Sequence, residues 1–150
     1  MATTLDEFFR IGQTIELGSH TFDAASIKAF AAKYDPQPFH LSDEAAAQTH
    51  FGRISASGWH TCAMTMRMLV DNITERKQAG LGSPGLDELR WLRPVYPGDT
   101  LRVETELLSK RQSQSRPEMG SFQSAVRVYN QDDVLVCTMK SIGLIRVRGN

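Results

Sequence analysis

The sequence predicts an α+β domain in which an antiparallel sheet curls around one long helix. Helical patterns fill the first half of the chain and strand patterns the second, without the strand–helix alternation that produces a parallel sheet. The run from Trp59 to Val70 is apolar on nearly every side, which is typical of a buried helix. Because nothing else in so short a chain can cover this helix, we expect the sheet to wrap around it.

Composition and charge narrow the class of protein. The 150 residues fit one domain, residues 1–150, and 17 basic residues balance 17 acidic ones. Nucleic acids and anionic membranes bind basic surfaces, so a neutral chain argues against both as partners. The segment Met1 to Arg10 is acidic and mixed, which predicts neither a signal peptide nor a transmembrane helix and indicates the cytoplasm.

Two elements are predicted before the first proline. Thr14 to Leu17 is a candidate strand. Asp23 is a good N-cap for a helix, whose apolar residues recur at helical spacing: Ile27, Phe30, Ala31 and Tyr34. This helix must end near Asp35, because Pro36 disfavours helical backbone at the residue before it.

Two further helices and a loop follow. Ser42 or Asp43 caps a short helix that runs to about His50. The central helix is predicted to continue to about Arg76, which makes it roughly 30 Å long at 1.5 Å per residue. A polar, glycine-rich loop is expected from Gln78 to Gly85.

The rest of the chain is predicted to form strands. Apolar and polar residues alternate with period two in Thr100 to Leu108 and again in Phe122 to Val128, as in a sheet with one solvated face. Val134 to Val147 is apolar on both faces, so we expect a central strand there. Ser109 to Gly120 carries charges, glutamines and a proline and is expected to be a mobile hairpin connection.

The cysteines and most histidines do not suggest a metal site. Cys62 and Cys137 lack metal-ligand spacing, and we expect both to be small core residues without a disulfide. The remaining candidate ligands match no usual metal motif with Asp35; they are His20, His50 and His60. We therefore expect no metal.

The segment with the clearest functional pattern is a proline-stiffened turn, Asp35-Pro36-Gln37-Pro38-Phe39-His40. Each proline fixes its own φ and holds the preceding residue extended, so Asp35 and His40 are presented with little freedom. Gly58 opens the central helix, where unpaired N–H groups and the helix dipole favour a negative oxygen. A base, an acid and an anion-binding group can thus converge, which suits the addition of water to an activated carbonyl compound or its removal. Alternatively, Asp35 only caps its helix and His40 is an ordinary loop histidine.

Residues 30–59 resemble the hydratase signature of the MaoC-like dehydratase family, which includes (R)-specific enoyl-CoA hydratases. That signature combines Asp-x-Asn-Pro-x-His, a short alanine-rich helix, Phe-x-Arg and a glycine that opens the central helix. The matching segments here are Asp35 to His40, Ala45-Ala46-Ala47, Phe51-Gly52-Arg53 and Gly58, with a later proline-glycine-aspartate turn in Arg93 to Leu101. The resemblance implies the hotdog fold and a homodimer with active sites at or near the subunit interface. Open sheet edges, which two copies can pair across a two-fold axis, also favour a homodimer.

The resemblance implies reversible hydration of a 2-enoyl thioester of CoA or of acyl-carrier protein, without a cofactor. Asp35 would be the base, His40 would polarise the water with it, and the N–H of Gly58 would stabilise the enolate oxygen. The candidate substrate-binding residues are Gln37, Phe39, Ser57 and Trp59. Two of them depart from the family pattern: Gln37 stands where Asn is usual, and Ser57 stands where His is usual.

Two other functions remain open at this point. A hotdog thioesterase would use a carboxylate to direct water at the carbonyl carbon instead of the alkene. A non-catalytic acyl-CoA-binding subunit would keep the fold without turnover, a possibility raised by Gln37 and Ser57. Trp59 also has two interpretations: it closes the acyl pocket, or it is a core residue of an apolar helix.

Overall fold

The computed structural model describes residue 5 and residues 10–148. The expectation for Met1 to Arg10 therefore lies mostly outside the described residues. The chain forms three α-helices, a short 3-10 turn at Pro38–His40 and six strands within these residues. In chain order the elements are β1 (Thr14–Thr21), α1 (Ala24–Tyr34), α2 (Asp43–Ala47), α3 (Gly58–Glu75), β2 (Gly80–Gly82), β3 (Leu86–Trp91), β4 (Thr100–Gln112), β5 (Met119–Tyr129) and β6 (Leu135–Arg146).

All the strands join one antiparallel sheet in the order β1-β4-β5-β6, and β2 and β3 pair with the outer side of β6. The position of β6 inside the sheet confirms the prediction from its apolar faces. The sheet packs around α3, with a core that combines residues from both halves of the chain: Phe22, Ile27, Ile54, Leu101, Val103, Val126, Val128, Val136 and Met139. This is the hotdog architecture that the resemblance implied.

Several predicted boundaries were wrong, for identifiable reasons. β1 extends past Leu17 to Thr21. The prediction ended too early because a bulge between Glu16 and Gly18 breaks the period-two pattern of the sequence. The predicted loop from Gln78 to Gly85 contains β2, whose backbone pairs with β6. β4 and β5 pair as far as Gln112 and Gly120, so the hairpin connection is much shorter than Ser109 to Gly120. In these segments the backbone pairing decides the structure.

The helix α3 is covered on one side only. Its buried side includes Thr61, Thr65 and Met68, and the Thr65 hydroxyl donates to the Thr61 carbonyl oxygen at 2.9 Å. Its opposite side exposes an apolar stripe with helical spacing, which we call the α3 stripe: Trp59, Ala63, Met66 and Val70. The sheet wraps around the buried side of this helix, as predicted, and among the described residues it leaves the α3 stripe uncovered.

Both cysteines are free, as predicted. Cys137 is fully buried in the core, and the half-buried Cys62 packs against that core.

His60 is a buried histidine in the first turn of α3, 5% exposed. Its ring stacks on Phe30, with ring centres 4.7 Å apart, and lies at the same distance from Phe22. Its Nδ1 has no hydrogen-bond partner in the part of the chain that the structure describes. Burial, followed by the nearby His20, holds the pKa of His60 below its ordinary value of 6.5.

We expect His60→Phe to reduce the pH dependence of stability in mildly acidic solution. The unfolded chain takes up a proton on His60 near pH 6.5, whereas the folded chain does so only at lower pH. The free energy of unfolding should therefore fall as the pH drops from 6.5 through the folded pKa, and phenylalanine should remove this contribution. Urea unfolding at about pH 7.5 and about pH 5.5 measures the change in the free energy of unfolding between the two conditions. His50→Phe, at an exposed site, is the control. If the stability of His60→Phe fell as much between these pH values as that of the wild type, His60 would not be the source of the pH dependence.

Candidate active site

The helix α1 delivers Asp35 to the start of the proline-stiffened turn. Asp35 is the C-cap residue, and its N–H donates to the Ala31 carbonyl oxygen at 2.9 Å. Its backbone leaves the helical region, with φ −152° and ψ 66°, as Pro36 requires. The turn then tightens into the 3-10 segment Pro38–His40, which places His40 back against Asp35.

The structure brings Asp35 and His40 into direct contact. His40 Nε2 lies 3.3 Å from Asp35 Oδ2. On the other side of the ring, His40 Nδ1 lies 2.6 Å from the carbonyl oxygen of Ser55. A carbonyl oxygen can only accept, so Nδ1 carries a proton and Nε2 is the atom that faces the carboxylate. His40 is 6% exposed, so the pair is held in a largely buried position.

Asp35 is stabilised as a carboxylate. Burial raises its pKa, but hydrogen bonds from Gln37 and Ser57 and the neighbouring His40 lower it by more, so the pKa lies below its ordinary value of 3.8. The Gln37 bond is short, with Nε2 donating to Asp35 Oδ1 at 2.6 Å. The extra methylene of glutamine thus lets this side chain reach back to the carboxylate.

We expect Gln37→Ala to raise the pKa of Asp35. The variant removes a hydrogen bond that favours the charged carboxylate and leaves the burial that disfavours it. Carbon-13 NMR titration of the Asp35 carboxyl group measures the shift. Gln48→Ala, which changes an exposed glutamine at the end of α2, is the control. An unchanged pKa in Gln37→Ala would show that this hydrogen bond does not hold the carboxylate.

The residues before α3 form a buried segment of small side chains. The Ala56 N–H donates to the Val95 carbonyl oxygen at 2.8 Å, and the Ile54 N–H donates to Asp43 Oδ1 at 2.9 Å. Ser57 is the N-cap of α3, and its hydroxyl oxygen accepts the N–H of Trp59 at 3.2 Å. Because Ser57 also contacts Asp35, the helix N-terminus lies beside Asp35 and His40.

The first residue of α3 offers a free donor. The N–H of Gly58 has no acceptor among the described residues. It belongs to the group of unpaired amides at the positive end of the helix dipole, which favours a negative oxygen. The role of this N–H as an anion site stays a prediction.

Trp91 gives a second reason for glycine at position 58. The Trp91 Nε1 donates to the Gly58 carbonyl oxygen at 3.0 Å. A Cβ atom at position 58 would lie 2.4 Å from the indole ring, much too close. The neighbouring tryptophan ring therefore disfavours any larger residue at this position.

Phe39 and Trp59, two of the predicted substrate-binding residues, lie in different surroundings. The Phe39 ring meets His40 edge-on at 4.5 Å and stacks on Phe51 at 5.2 Å, so it forms an apolar wall beside His40. Trp59 is 56% exposed and meets Trp91 edge-on. The interpretation of Trp59 as a core residue was wrong, and its role in substrate binding stays a prediction.

Sequence reasoning missed Ser55. Its carbonyl oxygen fixes the proton of His40 on Nδ1, and its hydroxyl is buried without a partner among the described residues. No residue type signals such a contact, because any residue at this position has the same carbonyl group.

A separate apolar cavity of about 280 Å³ lies between the second half of α3 and the sheet. Met66, Leu69 and Ile73 line it from the helix, and Leu107, Phe122 and Ile142 are among the residues that line it from the sheet. Neither Asp35 nor His40 is part of its lining. The cavity begins about 12 Å along α3 from Gly58, at 1.5 Å per residue.

The described part of the chain contains neither a metal-binding cluster nor a membrane-spanning helix. No group of three or more His, Cys, Asp and Glu side chains there is placed to hold a metal ion. No described helix is long and apolar enough to cross a membrane.

Several known proteins share the sequence family and the fold of this chain. The family model described as MaoC like domain matches residues 7–127. The YdeM protein of Bacillus subtilis is 32% identical over 132 residues, which cover 88% of this chain and 91% of that protein. A MaoC-like dehydratase from Rhodospirillum rubrum is 38% identical with a TM-score of 0.86, covering 96% of this chain and 97% of its own. The R-hydratase PhaJ1 from Pseudomonas aeruginosa is 25% identical with a TM-score of 0.68, and the match covers 98% of this chain and 88% of that one. With a match over most of its length, the chain belongs to the MaoC-like domain family of hydratases and dehydratases.

Proposed function

We propose that this protein is an acyl-thioester hydratase that reversibly converts a 2-enoyl-CoA into a 3-hydroxyacyl-CoA. The observation that carries the proposal is the contact between Asp35 and His40, with Nε2 and the carboxylate 3.3 Å apart beside the free N–H of Gly58. Two acceptors that converge in this way can bind one water molecule, which donates one hydrogen to each. The relatives named as a dehydratase and an R-hydratase support the same reaction type.

Each group has a distinct part in this reaction. Asp35 takes a proton from the water while the water oxygen bonds to C3 of the enoyl group, and His40 orients that water. The electrons of the double bond move to the thioester oxygen, where the N–H of Gly58 stabilises the negative charge. The proton that Asp35 took from the water is then delivered to C2, which completes the addition and restores the carboxylate. Dehydration runs through the same steps in reverse.

The apolar cavity supports an acyl substrate. It lies along the same helix whose first residue would hold the thioester, and its lining offers the apolar surface that a hydrocarbon chain needs. We propose that the acyl chain extends from the catalytic pair toward this cavity.

A panel of enoyl-CoAs and saturated acyl-CoAs tests the function. Loss of absorbance from the conjugated double bond reports hydration, and a thiol reagent reports hydrolysis. Hydration without thiol release is the expected result, and the Asp35→Asn variant controls for a contaminating hydratase. Thiol release would identify a thioesterase. The absence of both signals would indicate a binding subunit.

We also propose a homodimer, because the single chain leaves an apolar surface uncovered. The α3 stripe is exposed, and the contact between Trp59 and Trp91 joins it to β3. Within residues 10–148, β3 pairs only with β6, so its other edge is open there. Apolar surface next to an open strand edge is typical of an interface, and a second copy provides the matching surface across a two-fold axis.

We expect Val70→Glu to shift the protein from dimer to monomer. Val70 lies in the α3 stripe and is 41% exposed, so a carboxylate there would be buried without a partner at the interface. Val134→Glu is the matched control, because Val134 is 39% exposed but lies at the turn before β6. Sedimentation velocity measures the mass of each. A wild-type monomer, or a Val70→Glu dimer as tight as the control, would contradict this interface.

A further inference from the structure

Arg53 is an exposed cation that the proposed chemistry does not use. Its guanidinium group lies 4.0 Å from the centre of the Tyr96 ring. The ring is itself fixed, because the Tyr96 hydroxyl donates to the Phe51 carbonyl oxygen and its N–H donates to Asp99, both at 2.8 Å. The stacking therefore holds the charge of Arg53 in a defined place.

This charge has no counter-ion within residues 10–148. No carboxylate there lies within 4.0 Å of the Arg53 guanidinium, whereas three other arginines form ion pairs: Arg67, Arg102 and Arg127. The carboxylates of Asp43 and Asp99 accept the backbone N–H groups of Ile54 and Tyr96. A stacked arginine that keeps its donors available is well suited to bind a phosphate in a bidentate way.

The chain between Arg53 and Gly58 is long enough for an acyl carrier arm to lie between them. The segment 53–58 runs antiparallel to 91–96, with Tyr96 beside Arg53 at one end and Trp91 beside Gly58 at the other. Five extended residues reach at most about 17 Å. A pantetheine arm has about thirteen bonds between sulfur and phosphorus and spans about 15 Å by the same reach per bond.

We propose that Arg53 binds the phosphate at the end of the pantetheine arm while the thioester lies at Gly58. The inference rests on the proposed function, since it assumes a pantetheine thioester as substrate. The same phosphate occurs in CoA and in acyl-carrier protein, so the contact serves either carrier. Arg53 is then a binding residue that acts on substrate affinity and leaves the chemical step unchanged.

The test compares three crotonyl thioesters: that of CoA, that of 4′-phosphopantetheine, and that of N-acetylcysteamine, which has no phosphate. We expect Arg53→Ala to raise KM about tenfold for the first two, with kcat retained, which corresponds to about 1.4 kcal/mol. The N-acetylcysteamine thioester should be unaffected. Arg53→Lys should give a smaller rise in KM, because it keeps the charge and loses the planar donor pair. Arg116→Ala, at an exposed arginine in the β4–β5 connection, should behave as the wild type.

Calorimetry with free CoA gives a readout that does not need turnover. Arg53→Ala should bind CoA about tenfold more weakly than the wild type and Arg116→Ala. Equal affinities, or equal KM changes for all three thioesters, would overturn the proposal. An effect on the CoA thioester alone would also overturn it, because the contact would then involve a different phosphate. If the wild type hydrated none of the thioesters, the proposed function would fail, and the CoA affinities would still decide the role of Arg53.

Discussion

Turnover of a 2-enoyl-CoA should fall by about 100- to 10,000-fold in both Asp35→Asn and His40→Ala, the contribution of a positioned acid or base. Asparagine keeps the shape of Asp35 but cannot take a proton from water, and alanine removes the Nε2 atom that faces the carboxylate. If both groups act on one water molecule, the double variant should be little slower than the slower single variant. Steady-state rates of the three variants measure this directly.

Two matched variants separate loss of chemistry from loss of structure. Asp71→Asn and His50→Ala make the same changes at exposed sites and should keep wild-type rates. Circular dichroism and melting temperatures should show that all the variants fold. His40→Ala should melt somewhat lower, because it removes a buried ring that donates to the Ser55 carbonyl oxygen. Wild-type turnover in either Asp35→Asn or His40→Ala would eliminate the proposed mechanism.

Gly58→Pro should have a kcat about 100- to 1,000-fold below that of Gly58→Ala, the usual effect of losing one oxyanion donor. Proline is tolerated at the first position of a helix, and Ser57 already has the extended backbone that must precede it, with φ −56° and ψ 139°. Both substitutions add a Cβ atom against Trp91, and proline additionally replaces the hydrogen of the N–H with a ring carbon.

The added Cβ atom should destabilise both variants by about 1–3 kcal/mol, as overpacking does. Gly58→Pro and Gly58→Ala are therefore also compared in a Trp91→Ala background, which lacks the ring that the Cβ atom meets. Stopped-flow rates and urea unfolding measure the two effects separately. Equal kcat values for the proline and alanine variants in both backgrounds would exclude the Gly58 N–H as the oxyanion donor.

Local patterns account for most of the elements that the sequence predicts correctly. The N-cap Asp23 and the restriction by Pro36 define α1, since both act on neighbouring residues. The central helix α3, from Gly58 to Glu75, follows from its apolar run and the glycine at its start. The errors occur where backbone pairing with another segment determines the bounds of a strand, as in β2 and at the ends of β4 and β5. A strand that is held by its backbone needs no apolar alternation, so its sequence contains no such signal.

The residue types and the stiffness of the proposed site were determined by the sequence alone, because prolines and a helix N-terminus act through local geometry. Asp35, His40 and Gly58 could be named without any structure for this reason. Only the tertiary structure decided the contacts made by backbone groups and distant side chains. It placed the Ser55 carbonyl on His40 Nδ1, the Trp91 ring on Gly58, and Tyr96 under Arg53. These contacts join segments far apart in the chain or use atoms common to all residues, so no local pattern in the sequence records them.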